Sequence, residues 1–216
     1  MKKLLTFALF VIVAGPALAD EAPADSVTII DDVVVTESRY DRTTRVNVSN
    51  ITNEELRLRE PDRSLPMLLD GLPGVFSYSD AGSGLGYTYL KIRGFDQRRV
   101  GVLFNGIPMN DPEDHQVWWV NLADLAASVQ DIQVQRGVTN SIGGMTAIGG
   151  TVNIIARDLA KKPRGKASLN LGSYGFSRQM MEYQTGDLGG GLSMSFRLSH
   201  QESDGYRDRS GYEGWG

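Results

Sequence analysis

The sequence contains no cysteine and only two histidines, His115 and His200, which lie far apart. Without thiols the protein can form neither disulfides nor cysteine-based zinc sites, and cysteine nucleophiles are excluded. The sequence also lacks the nucleophile turn of serine hydrolases and the paired-histidine helix of zinc proteases. These absences leave little support for an enzyme, and no catalytic residue, metal site or cofactor is predicted.

An excess of positive charge is also missing. Lysine and arginine number 22 against 26 aspartates and glutamates, which gives a formal net charge of −4. Because nucleic-acid binding relies on basic side chains that neutralise phosphates, this balance gives no reason to expect a nucleic-acid partner.

The apolar run near the N-terminus is too short to cross a bilayer. It extends from Leu4 to Ala14, whereas a membrane-spanning helix needs about 20 residues. Two lysines precede it, and a small-residue cleavage site ends at Ala19. This arrangement predicts a secretory signal peptide over residues 1–19, so the mature chain is expected to be exported.

Glycine is abundant, with 25 residues, but it is concentrated after residue 70. Residues 20–50 are mostly polar and are predicted to form a flexible tether. Within the tether, "DDVVVTESRY" from Asp31 to Tyr40 carries branched side chains that favour an extended strand. No matching strand or turn follows it, so its pairing partner is expected elsewhere.

Residues 51–160 predict a globular α+β domain with a small mixed sheet. A capping-box pattern at Thr52 and Glu55 predicts a helix that runs to about Glu60, and a second helix is predicted from Ser64 to Gly71. The stretches "YLKIRGF", "RVGVLFNGIPM", "VQDIQVQRG" and "GGTVNIIA" predict strands, with a two-residue Asn-Gly turn inside the second. Between them, "NLADLAASV" predicts a short helix.

Residues 165–216 show a different pattern. The stretches "KASLNLG", residues 176–185 and "LSMSFRLS" predict three strands, with the clearest alternation of apolar and polar residues in the first and third. Such strands suit the wall of a transmembrane antiparallel β-barrel, and their period alone suits a soluble antiparallel sandwich equally well. The polar stretch from His200 onward is expected to begin an extracellular loop.

Two further patterns are interpreted as loops. The stretch "GSGLG" from Gly82 to Gly86 lacks the third glycine and the following helix of a dinucleotide-binding turn. Asp111, Glu113, Asp114 and His115 could ligate a metal, but they share one short loop without a second cluster, which is typical of a solvated polar loop.

Several separate motifs occur in a fixed order behind the signal peptide. They are "DDVVVTESRY", "LPMLLDGLPGV", the run from "YLKIRGF" to "VQDIQVQRG", and "GMTAIGGTVNII". Together they resemble the TonB-dependent outer-membrane receptors, and "NDPEDHQVWWVNLADLAASVQDIQVQRG" is most similar to the ferric-citrate-type branch. The resemblance implies an α+β plug domain followed by the first three strands of an incomplete transmembrane antiparallel β-barrel. Because such a barrel has about 22 strands, the chain is interpreted as the N-terminal part of a longer receptor.

The resemblance also gives the valine-rich stretch a role. It implies that a TonB box at about residues 31–38 binds TonB, an inner-membrane-anchored protein, by adding a strand to an exposed sheet edge. The residues implied in this contact are Asp32, Val33, Val34, Val35 and Thr36. A strand paired within its own domain is the alternative.

Further site residues are implied by the resemblance. Arg93 and Arg136 would hold the plug in place by pairing with glutamates of the barrel wall, or else would be ordinary surface arginines at strand ends. The cargo-contacting candidates lie on two apical loops that face the extracellular side. They are Ser79, Asp80 and Ser83 in the first loop, and Asn110, Asp111, His115, Gln116 and Trp118 in the second. Of Trp118 and its neighbour Trp119, one is expected in the core and one at the cargo.

These expectations describe a bacterial outer-membrane receptor that imports a scarce nutrient with energy delivered by TonB. Its partners would be TonB with its inner-membrane energising complex, outer-membrane lipid, and the cargo. A ferric chelate is the first choice, ahead of cobalamin, other metal complexes and glycans. Only about ten residues separate Asp20 from the TonB box, so no additional N-terminal signalling domain is expected. A secreted soluble β-rich binding or adhesion protein is the competing interpretation.

Overall fold

The computed structural model describes residues 47–59, 63–122, 124–138 and 147–216. The predicted signal peptide, most of the predicted tether and the predicted TonB-box residues Asp32 to Thr36 lie outside these ranges. The helices and strands of the described residues are, in chain order, β1 (Val48–Ile51), α1 (Asn53–Leu58), α2 (Leu65–Leu68), β2 (Val75–Ser79), β3 (Thr88–Ile92), β4 (Val100–Phe104), β5 (Ile107–Pro108), β6 (Val129–Arg136), β7 (Gly150–Ala156), β8 (Arg164–Leu171), β9 (Ser177–Asp187), β10 (Ser193–Ser203) and β11 (Tyr212–Trp215). We refer to residues 47–157 as the core domain and to β8–β11 as the four-stranded sheet.

The predicted capping box starts α1. The backbone N–H of Glu55 donates to Thr52 Oγ1 at 3.4 Å, and the backbone N–H of Thr52 donates to Glu55 Oε2 at 2.9 Å. Ile51 and Leu56, on either side of the cap, are both buried. Two of the free N–H groups at the helix start are therefore satisfied, although the helix ends at Leu58, earlier than predicted.

A mixed five-stranded sheet forms the centre of the core domain, in the order β1-β6-β7-β4-β5. Strands β4 and β7 are parallel, and the other pairs are antiparallel. The mixed sheet was predicted, but β1 was not, because Val48 to Asn50 were assigned to the tether. They pair with β6 instead, from Val48 opposite Gln135 to Ile51 opposite Ile132. The folded domain thus begins before residue 51.

The predicted turn joins β4 to β5. Asn105 and Gly106 both have positive φ, at 50° and 81°, and Phe104 pairs with Ile107 across them. The side-chain oxygen of Asn105 also accepts a hydrogen bond of 2.8 Å from the backbone N–H of Ala156. The asparagine therefore both forms the turn and ties it to the end of β7.

Two predictions within the core domain differ from the structure. Strand β3 was placed in the mixed sheet, but it forms a separate two-stranded sheet with β2, a strand that was not predicted. The single helix predicted in "NLADLAASV" is two short 3₁₀ turns, Trp119–Leu122 and Leu125–Ser128. Asp124 stands before the second turn and makes no capping bond with its side chain.

Apolar side chains from both sheets and both helices fill one hydrophobic core. The most deeply buried include Leu65, Leu69, Leu90, Ile92, Ile132, Val134, Val152 and Ile154. Neither of the two helices in the described ranges has the length and apolar character needed to cross a membrane.

The four-stranded sheet is antiparallel throughout, in the order β11-β10-β9-β8. Its outward side chains are apolar and exposed, and they include Leu169, Leu171, Met181, Phe196 and Leu198. Its buried positions are mostly polar, and they include Arg178, Gln184, Ser199, Gln201 and Ser203. A soluble sandwich would bury the apolar face, so this distribution favours the barrel wall of the two alternatives.

The end of the four-stranded sheet differs from the expected loop. Strand β10 continues to Ser203, and Tyr212–Trp215 forms a fourth strand that pairs with it. Only the connection between β10 and β11 remains as a loop in this part of the chain.

Candidate functional site

Two loops of the core domain approach each other at one end. The first apical loop, residues 80–87, joins β2 to β3, so Ser79, predicted in this loop, is instead the last residue of β2. The second apical loop, residues 109–118, follows β5. The rings of Tyr87 and Trp118 meet edge to face, with their centroids 6.5 Å apart. The aromatic pair therefore links the two loops that were predicted to contact cargo, and Tyr87 was not among the predicted residues.

Asn110 shapes the second apical loop. Its side-chain oxygen accepts from the backbone N–H of Val102 at 2.8 Å, and its amide nitrogen donates to the carbonyls of Val100 and His115 at 2.9 and 2.7 Å. Because the amide is used in these internal bonds, Asn110 positions the loop.

Asp111 and Gln116 also make internal bonds. Asp111 Oδ1 accepts from the backbone N–H of Glu113 at 2.7 Å, and the buried Gln116 accepts from Gln97 Nε2 at 2.9 Å. The Gln116 backbone N–H donates to Asp114 Oδ1 at 3.0 Å, and its side-chain amide donates to Asp114 Oδ2. The backbone bond is the main reason why the pKa of Asp114 lies below its ordinary value.

The outward-facing candidates of the second loop are His115 and Trp118. His115 is exposed and has a positive φ of 60°. Trp118 is 40% exposed, whereas Trp119 is 3% exposed and belongs to the core. Trp119 is therefore the core residue of the pair, and contact of Trp118 with cargo stays a prediction.

The first apical loop presents Asp80 at its surface. Tyr89 donates its hydroxyl to Asp80 Oδ2 at 3.1 Å. Burial and, secondly, this hydrogen bond raise the pKa of Tyr89 above its ordinary value. Ser79 donates to the carbonyl of Leu85 at 3.2 Å, and Ser83 Oγ accepts from the backbone N–H of Leu85 at 3.4 Å. Both serines therefore hold the loop in shape.

A cavity of about 720 Å³ lies between the first apical loop and the four-stranded sheet. Its lining includes Arg63, Ser83 and Leu85 from the core domain, and Tyr174, Phe176 and Tyr206 from the connections of the sheet. Its volume lies in the range of small-molecule sites. Of the predicted cargo residues, Ser83 lines this cavity and the second-loop candidates do not.

Glycines of the "GSGLG" stretch allow this close approach. Gly82 and Gly86 both have positive φ. A Cβ atom on Gly82 would collide with the ring of Tyr206, and one on Gly86 would lie 3.3 Å from Tyr212 Cδ2. The stretch is a loop, as predicted, and its backbone contacts two tyrosines of the β10–β11 segment.

The two arginines predicted to lock the plug contact the start of the core domain. Arg93 Nη2 donates to Asn47 Oδ1 at 3.1 Å, and Arg136 Nη1 donates to Ser49 Oγ at 2.6 Å. These bonds tie β1 to the turn after β3 and to the end of β6. Pairing of Arg93 and Arg136 with wall glutamates stays a prediction.

Ionic contacts between the core domain and the four-stranded sheet were missed by the sequence analysis. Asp124 pairs with Arg178 of β9 and Arg197 of β10, and Arg157 lies 4.0 Å from Glu182 of β9. A usable signal existed in β10, because Arg197 interrupts a face that otherwise carries the uncharged polar residues Ser199, Gln201 and Ser203. The partners of these arginines lie far away in sequence and could not be assigned. Within the described ranges, no group of three or more acidic, histidine or cysteine side chains is arranged to hold a metal ion.

Comparison with known proteins places these features in a family. The model of the TonB-dependent Receptor Plug Domain matches residues 41–151. The vitamin B12 transporter BtuB of Vibrio vulnificus is 28% identical over 188 residues, which cover 85% of this chain and 30% of that protein. The ferric enterobactin receptor PirA of Pseudomonas aeruginosa is 27% identical over 181 residues, which cover 76% of this chain and 24% of that protein.

Solved structures show the same fold. The ferric yersiniabactin uptake receptor FyuA of Yersinia pestis aligns with a TM-score of 0.60 at 20% identity, over 82% of this chain and 29% of that chain. The chain therefore spans less than a third of the length of each of these relatives. Because the family model covers just over half of the 216 residues, the chain belongs to the TonB-dependent receptor plug domain family.

Proposed function

We propose that this chain forms the plug and the first wall strands of an outer-membrane receptor for TonB-dependent uptake of a ferric chelate. The observation that carries the proposal is the pairing of a plug-family domain with a sheet whose apolar side chains face outward. Such a sheet requires lipid on its outer face, and its polar inner face covers the core domain. In this assignment residues 1–19 are the signal peptide, and residues 31–38 contain the TonB box. The core domain is the plug, and the four-stranded sheet begins the wall.

The cavity beside the first apical loop is the proposed cargo site. Its lining combines the aromatic rings of Tyr174, Phe176 and Tyr206 with the guanidinium group of Arg63. Aromatic faces suit the organic part of a chelate, and a guanidinium suits its negative charge. Asp80, His115, Tyr87 and Trp118 do not line the cavity and are further candidates on the two apical loops.

Cobalamin is the second candidate cargo, because a vitamin B12 transporter is among the relatives. The two cargoes are distinguished by uptake of labelled iron chelates and labelled cobalamin into cells that carry the complete receptor. Saturable uptake of cobalamin, with none of any iron chelate tested, would contradict the first choice.

The TonB partner is tested at Val34, in the centre of the proposed TonB box. Strand addition depends on backbone N–H groups, which proline lacks. Val34→Pro in the complete receptor should lower cargo uptake to the level of cells without TonB, while cargo binding and receptor amount stay unchanged. Val34→Ala is the control, and it should retain most of the uptake. Equal uptake by Val34→Pro and the parent would remove the TonB-box assignment.

A further inference from the structure

Asp124 is placed where its side chain would normally cap a helix. It precedes the 3₁₀ turn Leu125–Ser128, yet it makes no side-chain bond to that turn. Its carboxylate is directed at the four-stranded sheet, where Arg178 Nη2 donates to Asp124 Oδ1 at 2.6 Å. Arg197 Nε lies 3.4 Å from the other carboxylate oxygen. One carboxylate of the core domain therefore meets two arginines from neighbouring strands of the sheet.

These charges are removed from solvent. The side chains of Asp124 and Arg178 are 4% and 5% exposed, and that of Arg197 is 19% exposed. A buried charge is costly unless it is paired, and removal of one partner leaves the other uncompensated. Because the partners belong to the core domain and to the sheet, their pairing depends on contact between the two.

Other contacts surround this ion pair. Arg197 Nη1 donates to Ser128 Oγ, so that arginine contacts both ends of the 3₁₀ turn. A cavity of about 170 Å³ adjoins the pair and is lined by Arg157, Asn170 and Arg178, among others. Its lining also includes the apolar side chains of Leu56, Leu68 and Met180, so the cavity lies between the core domain and the sheet beside Arg178.

We propose that Asp124 is a positioning residue for transport, and that its pairing with Arg178 and Arg197 holds the plug closed against the first wall strands. The inference rests on the proposed function, because it requires the four-stranded sheet to be the wall. It differs from the predicted Arg93 and Arg136 lock in polarity, since here the plug supplies the carboxylate and the wall supplies the arginines. Opening of a path along β9 and β10 requires these charges to separate and become hydrated.

Passive leakage through the complete receptor tests this role. Asp124→Asn keeps the shape of the side chain but removes its charge, so Arg178 and Arg197 both lose their ionic contact with it. We expect entry of a hydrophilic antibiotic too large for general porins to rise by roughly tenfold or more in cells without TonB. Asp158→Asn makes the same change at an exposed position, and it should leave leakage at the parent level. Parent-level leakage by Asp124→Asn, at normal receptor amount, would overturn the proposal.

A double-substitution cycle separates this ion pair from general destabilisation. Asp124→Asn and Arg178→Gln should each raise leakage, but together they should raise it by much less than the product of the single effects, because both remove one interaction. Asp124→Glu keeps the charge, so its leakage should be much lower than that of Asp124→Asn. Independent, multiplicative effects would contradict the pairing.

If Asp124→Asn fails to reach the membrane, Arg178→Lys provides the test. Lysine keeps the positive charge but not the geometry of the guanidinium, so leakage should still rise. Parent-level leakage by Arg178→Lys at normal receptor amount would overturn the proposal. Leakage is measured without TonB or cargo. Failure of Val34→Pro to block uptake would therefore reject the TonB-box assignment without affecting this result.

Discussion

The core domain and the four-stranded sheet distribute polarity in opposite ways. In the core domain, Ile132, Val134, Val152 and Ile154 are buried in a hydrophobic core. In the four-stranded sheet, Leu198 and its outward neighbours are exposed, while Gln201, Ser199 and Arg178 are buried. The same chain therefore contains a domain with an apolar interior and a sheet of the opposite kind. One face of that sheet is apolar and suits lipid, and its other face is polar and lies toward the interior. The contrast shows that apolar alternation identifies a strand but does not say which face is inside.

The largest expected effect comes from separating the two regions. Residues 20–161 expressed alone should remain soluble, whereas residues 20–216 should aggregate in water, because outward apolar side chains and open strand edges are uncovered. Size-exclusion chromatography in the presence and absence of detergent measures the difference, and detergent should relieve the aggregation. A monodisperse 20–216 polypeptide with a cooperative thermal transition in detergent-free buffer would contradict the barrel-wall assignment.

A matched pair of substitutions sharpens the comparison at single residues. Leu90 of β3 is 1% exposed and Leu198 of β10 is 53% exposed. Leu90→Ala should lower the unfolding free energy of the 20–161 polypeptide by about 2–5 kcal/mol, because it leaves a cavity in the core. Leu198→Ala in the detergent-solubilised receptor should cost less than about 1 kcal/mol, since lipid or detergent fills the space. Denaturant titration of each variant and its parent measures the loss of unfolding free energy. Equal losses would contradict the assignment of Leu90 to the core and of Leu198 to the outward face.

The smallest effect tests a local signal of the core domain. Thr52→Ala removes the capping bond to Glu55 and should lower the unfolding free energy of the 20–161 polypeptide by about 1 kcal/mol. Glu54→Ala is the control in the same helical turn, and it should cost only a few tenths of a kcal/mol. A chemical denaturation curve for each variant gives the values. An effect of Thr52→Ala no larger than that of the control would show that the cap contributes little.

The local signals of the cap and the turn were read correctly from the sequence, whereas the helix predicted in "NLADLAASV" and several long-range pairings were not. The cap at Thr52 and the turn at Asn105 depend on neighbouring residues, so their sequence patterns sufficed. Strand β1 was missed because Val48 to Ile51 form a strand only beside β6. Strand β11 was missed because "YEGW" has little apolar alternation and is ordered by pairing with β10.

The candidate site shows the same difference between local signals and long-range contacts. Resemblance identified both apical loops, but it could not separate Asn110 and Gln116, whose side chains support the loop, from His115 and Trp118, which face outward. The contact between Asp124 and Arg178 joins residues 54 positions apart, and nothing in either local sequence indicates the other. Such pairs require the three-dimensional arrangement.

The two glycines that accommodate tyrosines beside the first apical loop have a consequence for evolution. At Gly82 any larger residue meets both an unfavourable backbone conformation and the ring of Tyr206, and Gly86 is similarly constrained by Tyr212. Ser83, which lies between them at the cavity, is under neither constraint. We therefore expect relatives of this chain to keep glycine at both positions, whereas position 83 can vary among small residues that still accept the hydrogen bond from the backbone N–H of Leu85.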